Sequence, residues 1–90
     1  MVYHLKISRE IAKQIDRLPG KVKHRIGKTI NDLRTNPLPP EALALSGDLE
    51  GLYRIRLEDW RIIYSIDHNQ IVIEIIRVGR RGQNTYGDLM

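Results

Sequence analysis

The chain has 90 residues, 15 lysines and arginines against 11 acidic residues, a formal charge of +4 and no cysteine. That length suits one domain, residues 1–90, with one modest core, and the missing thiols exclude a disulfide frame and a thiolate metal site and suit a reducing cytoplasm. Apolar runs such as Ile71 to Ile76 are far too short to span a bilayer, and Met1-Val-Tyr-His lacks the plan of a signal peptide, so a small cytoplasmic protein without a membrane partner is expected. The basic balance favours a polyanionic partner without naming one.

Val2 to Ile7 alternates, with Tyr3, Leu5 and Ile7 on one side, and predicts a first strand. Ser8 is a candidate N-cap and Glu10 favours the first turn of a helix in which Ile11, Ile15 and Leu18 form the apolar face and Lys13, Gln14 and Arg17 point outward. Pro19-Gly20 breaks it. A second helix is predicted over residues 21–36, with Val22, Ile26, Ile30 and Leu33 buried and Lys21, Lys23, Arg25 and Lys28 on its outer face. So short a turn between them predicts an antiparallel helical hairpin. Asn36-Pro-Leu-Pro-Pro40 stops the second helix. In the connection from Glu41 to Gly51, Leu43 and Leu45 are expected to tuck onto the core, and Gly47 and Gly51 permit turns.

Three strands follow, around Leu52–Leu57, Trp60–Ile66 and from Ile71 onward, with tight turns near Glu58-Asp59 and His68-Asn69. The expected fold is therefore α+β: an N-terminal strand, a helical hairpin, then a three-stranded antiparallel meander, forming one small sheet with both helices on one face.

Every basic residue after Gly51 is an arginine: Arg54, Arg56, Arg61, Arg77, Arg80 and Arg81. Side chains alternate along a strand, so Tyr53, Ile55 and Leu57 would pack under the helices, with Arg54 and Arg56 opposite. Ile62, Tyr64 and Ile66 form the matching core set of the next strand, which leaves Arg61, Ile63 and Ser65 on the arginine side. The parity places Arg54, Arg56 and Arg61 on one open surface, and Gly79 is expected to let the chain bend so that Arg80 or Arg81 comes alongside. Any one of these arginines has a plainer account as a solvated residue on a half-buried sheet. As a group, with few acids on the same strand face, they would repel one another unless an anion is bound. Arginine's planar fork suits phosphate.

Gly51-Leu-Tyr-Arg-Ile-Arg, Trp60-Arg-Ile-Ile-Tyr, a final strand, Val78-Gly-Arg-Arg and Tyr86 together resemble the RelE/ParE superfamily of toxins from toxin–antitoxin pairs. The length, the helical hairpin ending in Asn-Pro and the Leu-Ser-Gly before the second strand support the resemblance, which covers essentially the whole chain. It implies a RelE-like fold, a small acidic and partly disordered antitoxin as partner, and one of two targets. The RelE branch cleaves messenger RNA in the A site of the 70S ribosome; the ParE branch poisons DNA gyrase without being an enzyme. A degenerate member that binds only its antitoxin is a third reading. Matched residue by residue, the RelE-type catalytic positions are Arg54, Arg56, Arg61, Arg81 and Tyr86, which favours the mRNA endoribonuclease. This chain has arginines on the second strand where bacterial RelE-like enzymes often carry lysines.

The implied chemistry uses the substrate's 2′-hydroxyl as nucleophile and requires no metal or cofactor. The protein positions the groups and stabilises charge. On this reading Arg61 meets the scissile phosphate, Arg54 and Arg56 its flanking oxygens, and Arg81 the leaving 5′-oxygen, while Tyr86 stacks on a base or pins the C-terminal tail to the core. A guanidinium with a pKa above about 12 is a poor proton acceptor, so the general base is unassigned. Lys13, Lys21, Lys23, Arg25, Lys28, Arg77 and Arg80 are the further candidates for RNA contact. His4, His24 and His68 are scattered, with no carboxylate cluster at ligand spacing.

Overall fold

The computed structural model describes residues 1–80. Strand β1 (His4–Ile7) leads into helices α1 (Arg9–Asp16) and α2 (Gly20–Leu33), followed by β2 (Leu43–Ala44), β3 (Leu52–Leu57), β4 (Trp60–Asp67) and β5 (Val72–Arg80). Helix α1 starts as its cap residue dictates: Ser8 is extended, and its Oγ accepts from the Ile11 N–H at 3.1 Å. Pro19 precedes α2 without a side-chain cap, its fixed φ serving the entry to the helix. Helix α2 gives way beyond Leu33 to a tightened turn, with Arg34 and Thr35 donating three residues back, before Pro37 ends any continuation.

The sheet order is β1-β5-β4-β3-β2, with β1 parallel to β5 and every other pair antiparallel. The predicted meander is present as β3-β4-β5. The sheet has a fifth strand, however: the connection supplies β2, whose Leu43 and Ala44 pair with Arg54 and Tyr53. Leu43 consequently does not tuck onto the core; it is 51% exposed on the edge strand. Two residues leave no periodicity to read, so this strand is set by β3 and not by local sequence.

Helices α1 and α2 bury Ile11, Ile26, Ile30 and Leu33 against Ile55, Ile62, Tyr64, Ile73, Ile75 and Val78 of the sheet. Each fully buried aliphatic side chain of this kind contributes about 1.5–3 kcal/mol. Tyr53, Leu57 and Trp60 pack at the margin of the same cluster. The core residues of β3 and β4 lie on the parity predicted for them.

One irregularity governs the other face. Tyr64 pairs with Ile75 but Ile63 pairs with Arg77, so Ile76 is an extra residue, a β-bulge. Strict alternation from Ile73 and Ile75 would send Arg77 under the helices. The bulge resets the count: Val78 joins the core and Arg77 emerges on the opposite face.

Candidate nucleic-acid interface

Register defines the face away from the helices as a set of rows. Arg56 lies across from Arg61, which lies across from Gly79. The next row runs Leu43, Arg54, Ile63, Arg77. Beyond it come Leu52, Ser65, Glu74 and Lys6. Four arginines thus occupy two adjacent rows, and the carboxylates of this face on β4 and β5, Glu74 and Asp67, belong to the rows at the other end of the strands.

The floor of this arrangement is apolar. Ile63 is 0% exposed although it lies outside the helix-side cluster. The stems of neighbouring arginines are suited to cover such a residue while their heads stay polar. Arg54 and Arg77 are half-buried and Arg56 is exposed.

Arg61 shares the predicted face but is not open: it is 8% exposed. Its Nη1 donates to the carbonyls of Glu58 at 3.2 Å and Trp60 at 3.1 Å, in the turn preceding it. Arg56 and Arg61 are directly opposed like charges, an arrangement that repels. The two carbonyls give the Arg61 guanidinium partners for its donors and draw it toward the turn.

Arg80 departs from the expectation. β5 continues through Gly79 to Arg80, so Gly79 sits within the ladder opposite Arg61, and Arg80 pairs with Trp60 on the parity of the helix side. Arg81 and Tyr86 lie outside the described residues.

The basic helix residues divide by what they touch. Lys23 is paired with Asp16 at 2.7 Å, Lys28 with Asp32 at 3.1 Å, and Arg25 with Glu58. The hydrogen bond from Lys23, and then its charge, hold the Asp16 carboxyl below its ordinary value. Lys13 and Lys21 are exposed and have no ion-pair partner among the described residues. The outer helix face is therefore partly neutralised by its own acids, whereas the strand arginines are concentrated. No group of three or more His, Asp or Glu that could hold a metal comes together among the described residues, and no described helix is long and apolar enough to cross a membrane.

Two features of the site were hidden in the sequence. The doublet Ile75-Ile76, a break in the alternation, is the trace of the bulge that turns Arg77 outward. Glu58, which engages both Arg25 and Arg61, has no local signal beyond its place in a turn.

Known proteins share this architecture. The RelBE2 toxin–antitoxin complex of Mycobacterium tuberculosis matches at a TM-score of 0.77 and 23% identity, over 90% of this chain and 100% of that one. The archaeal RelE–RelB complex from Pyrococcus horikoshii OT3 matches at 0.75 and 35% identity, over 92% and 99%. The fold is that of RelE-like toxins. A toxin RelE of Mycobacterium tuberculosis is 34% identical over 84 residues, which are 88% of this chain and 81% of the relative. The model of the ParE toxin of type II toxin–antitoxin system, parDE, matches residues 3–85. The chain belongs to the RelE/ParE superfamily of type II toxin–antitoxin toxins.

Proposed function

We propose that this toxin is a cytoplasmic, ribosome-dependent endoribonuclease that cuts messenger RNA in the A site by attack of the substrate's 2′-hydroxyl. One observation carries the reading: strand register, aided by the bulge, puts Arg54, Arg56, Arg61 and Arg77 in two adjacent rows on the face free of helices. Guanidinium groups so spaced suit consecutive phosphates of a single strand. Arg54 and Arg56 hold phosphoryl oxygens, and Arg61 supplies charge from the middle of its row, between Arg56 and Gly79. Arg81 serves the leaving oxygen and Tyr86 stacks on a base. Pre-organised charge and positioning are the main sources of acceleration, since no arginine is a practical base. The partner is a small acidic antitoxin, in keeping with the solved complex of the Pyrococcus horikoshii relative with RelB.

The test is translation with purified ribosomes and a defined messenger, cuts being mapped by primer extension for the wild type and the Arg56→Ala, Arg61→Ala and Arg81→Ala variants. Codon-registered cuts that require the ribosome and weaken at least 100-fold in the variants are expected. Intact messenger at high protein concentration would sink the reading. A second reading, gyrase inhibition, is favoured by the ParE description of the matching family model. Accumulation of cleaved DNA–gyrase complexes would establish it.

A further inference from the structure

Glu58 is grasped from both sides of the sheet. It opens the two-residue turn between β3 and β4, closed by the Leu57–Trp60 pair, and its φ of 54° lies in the left-handed region that a residue with a Cβ enters only when held there. From the helix side, Arg25 of α2 pairs with its carboxylate across 33 residues of sequence. From the arginine face, Arg61 donates to its carbonyl. The Arg25–Glu58 pair also lines a cavity of about 180 Å³ with Val22, Ile26, Leu57 and Trp60, so the ion pair spans the space between α2 and the turn.

We propose that Arg25 is a positioning residue, not an RNA contact: through the Glu58 carboxylate it fixes the peptide whose carbonyl holds Arg61, and so orients the Arg61 guanidinium beside Arg56. The inference rests on the endoribonuclease reading above for its catalytic consequence, and on geometry alone for the coupling. Arg61 faces Arg56 across the strand pair and is pushed away by it. The carbonyls of Glu58 and Trp60 are among the groups that resist that push, and Glu58, in the left-handed region, has its own side chain tied to α2. An exposed ion pair adds little to global stability. Breaking this one leaves the fold in place and moves the catalytic arginine.

Four proteins decide the matter: wild type, Arg25→Glu, Glu58→Arg and the exchanged pair Arg25→Glu/Glu58→Arg. Two measurements are made on each, ribosome-programmed cleavage resolved into kcat and KM, and proton exchange of the Arg61 side-chain N–H groups by NMR in the free protein. Each single variant is expected to lower kcat roughly 10- to 100-fold, with KM and melting temperature near those of the wild type. The exchanged pair restores kcat, because the ion pair is rebuilt with reversed polarity. Arg61 exchange accelerates in the single variants and slows again in the pair. A rise in KM for Arg25→Glu that the second substitution does not repair would overturn the proposal, since it marks direct contact with the polyanion. Unchanged Arg61 exchange across the series would overturn it equally. If the wild type cuts nothing, the endoribonuclease reading has failed, and the exchange data still decide the coupling.

Discussion

Tyr64 shows how much a single side chain settles. It is 0% exposed, its ring lies 5.7 Å from that of Tyr53, and its hydroxyl donates to the Pro37 carbonyl at 2.7 Å. That bond ties the proline-rich linker to the middle of the sheet. Burial, aided by the nearby charges of Tyr53 and Glu41, pushes the phenol up to about 12. The folded state therefore prefers the neutral phenol. Its contribution is fully present below pH 10, the ordinary value, and is lost as pH rises toward 12, a difference of roughly 2–3 kcal/mol. Tyr64→Phe should cost about 1–2 kcal/mol at neutral pH through the stranded Pro37 carbonyl. It should also flatten the alkaline loss of stability between pH 10 and 12. Urea midpoints at pH 8, 10 and 11.5 check both; an equally steep alkaline limb in the variant would assign that limb to other groups. Parity along β4 made the burial of Tyr64 legible, but its partner is 27 residues away in a segment without periodicity, so the bond itself was not.

At the scale of elements, the helices and the central strands follow from local pattern because their periodicities are intact. Ser8 caps α1, the prolines bound α2, and the apolar sets of β3 and β4 fall on the face that the alternation assigns. Strands β2 and β5 escape that logic for different reasons. β2 is two residues recruited by the edge of β3, and β5 changes phase in the middle. The bulge predicts an unusual tolerance. Deleting Ile76 leaves Ile75 opposite Tyr64 and Arg77 opposite Ile63, so Arg77 stays outward and Val78 inward. The deletion variant should fold with the same register, losing no more than roughly 2 kcal/mol from the half-buried Ile76 side chain. Deleting Arg77 along with Ile76 removes one further residue, which flips Val78 to the wrong face and abolishes folding. Amide exchange along β5 in the two variants distinguishes a regularised ladder from a slipped one.

For the molecule as a whole, the asymmetry of charge matters more than its sum. The net +4 could have been spread evenly, as a chain of this composition permits. Instead three acids answer helix residues, Asp16 with Lys23, Asp32 with Lys28 and Glu58 with Arg25. The strand arginines crowd two rows of the opposite side. That partition was legible in outline, because alternation assigned Arg54, Arg56 and Arg61 to one face. Of the neutralising pairs, Lys28–Asp32 is a local i,i+4 contact within α2, whereas Lys23–Asp16 and Arg25–Glu58 were not legible, since the contacts from α1 to α2 and from α2 to the β3–β4 turn are tertiary. The partition makes salt dependence a way to locate the polyanion. For a single strand, log K falls with log salt at a slope of about −0.7 per phosphate neutralised. Arg56→Ala should therefore reduce the slope for a single-stranded RNA oligonucleotide by about 0.7 and weaken binding to different sequences alike. Lys28→Ala, on the helix side and already paired with Asp32, should leave the slope unchanged. Titrations at several salt concentrations decide it: a slope that responds to Lys28 and not to Arg56 would put the strand on the helix face and remove the arginine rows from the binding surface.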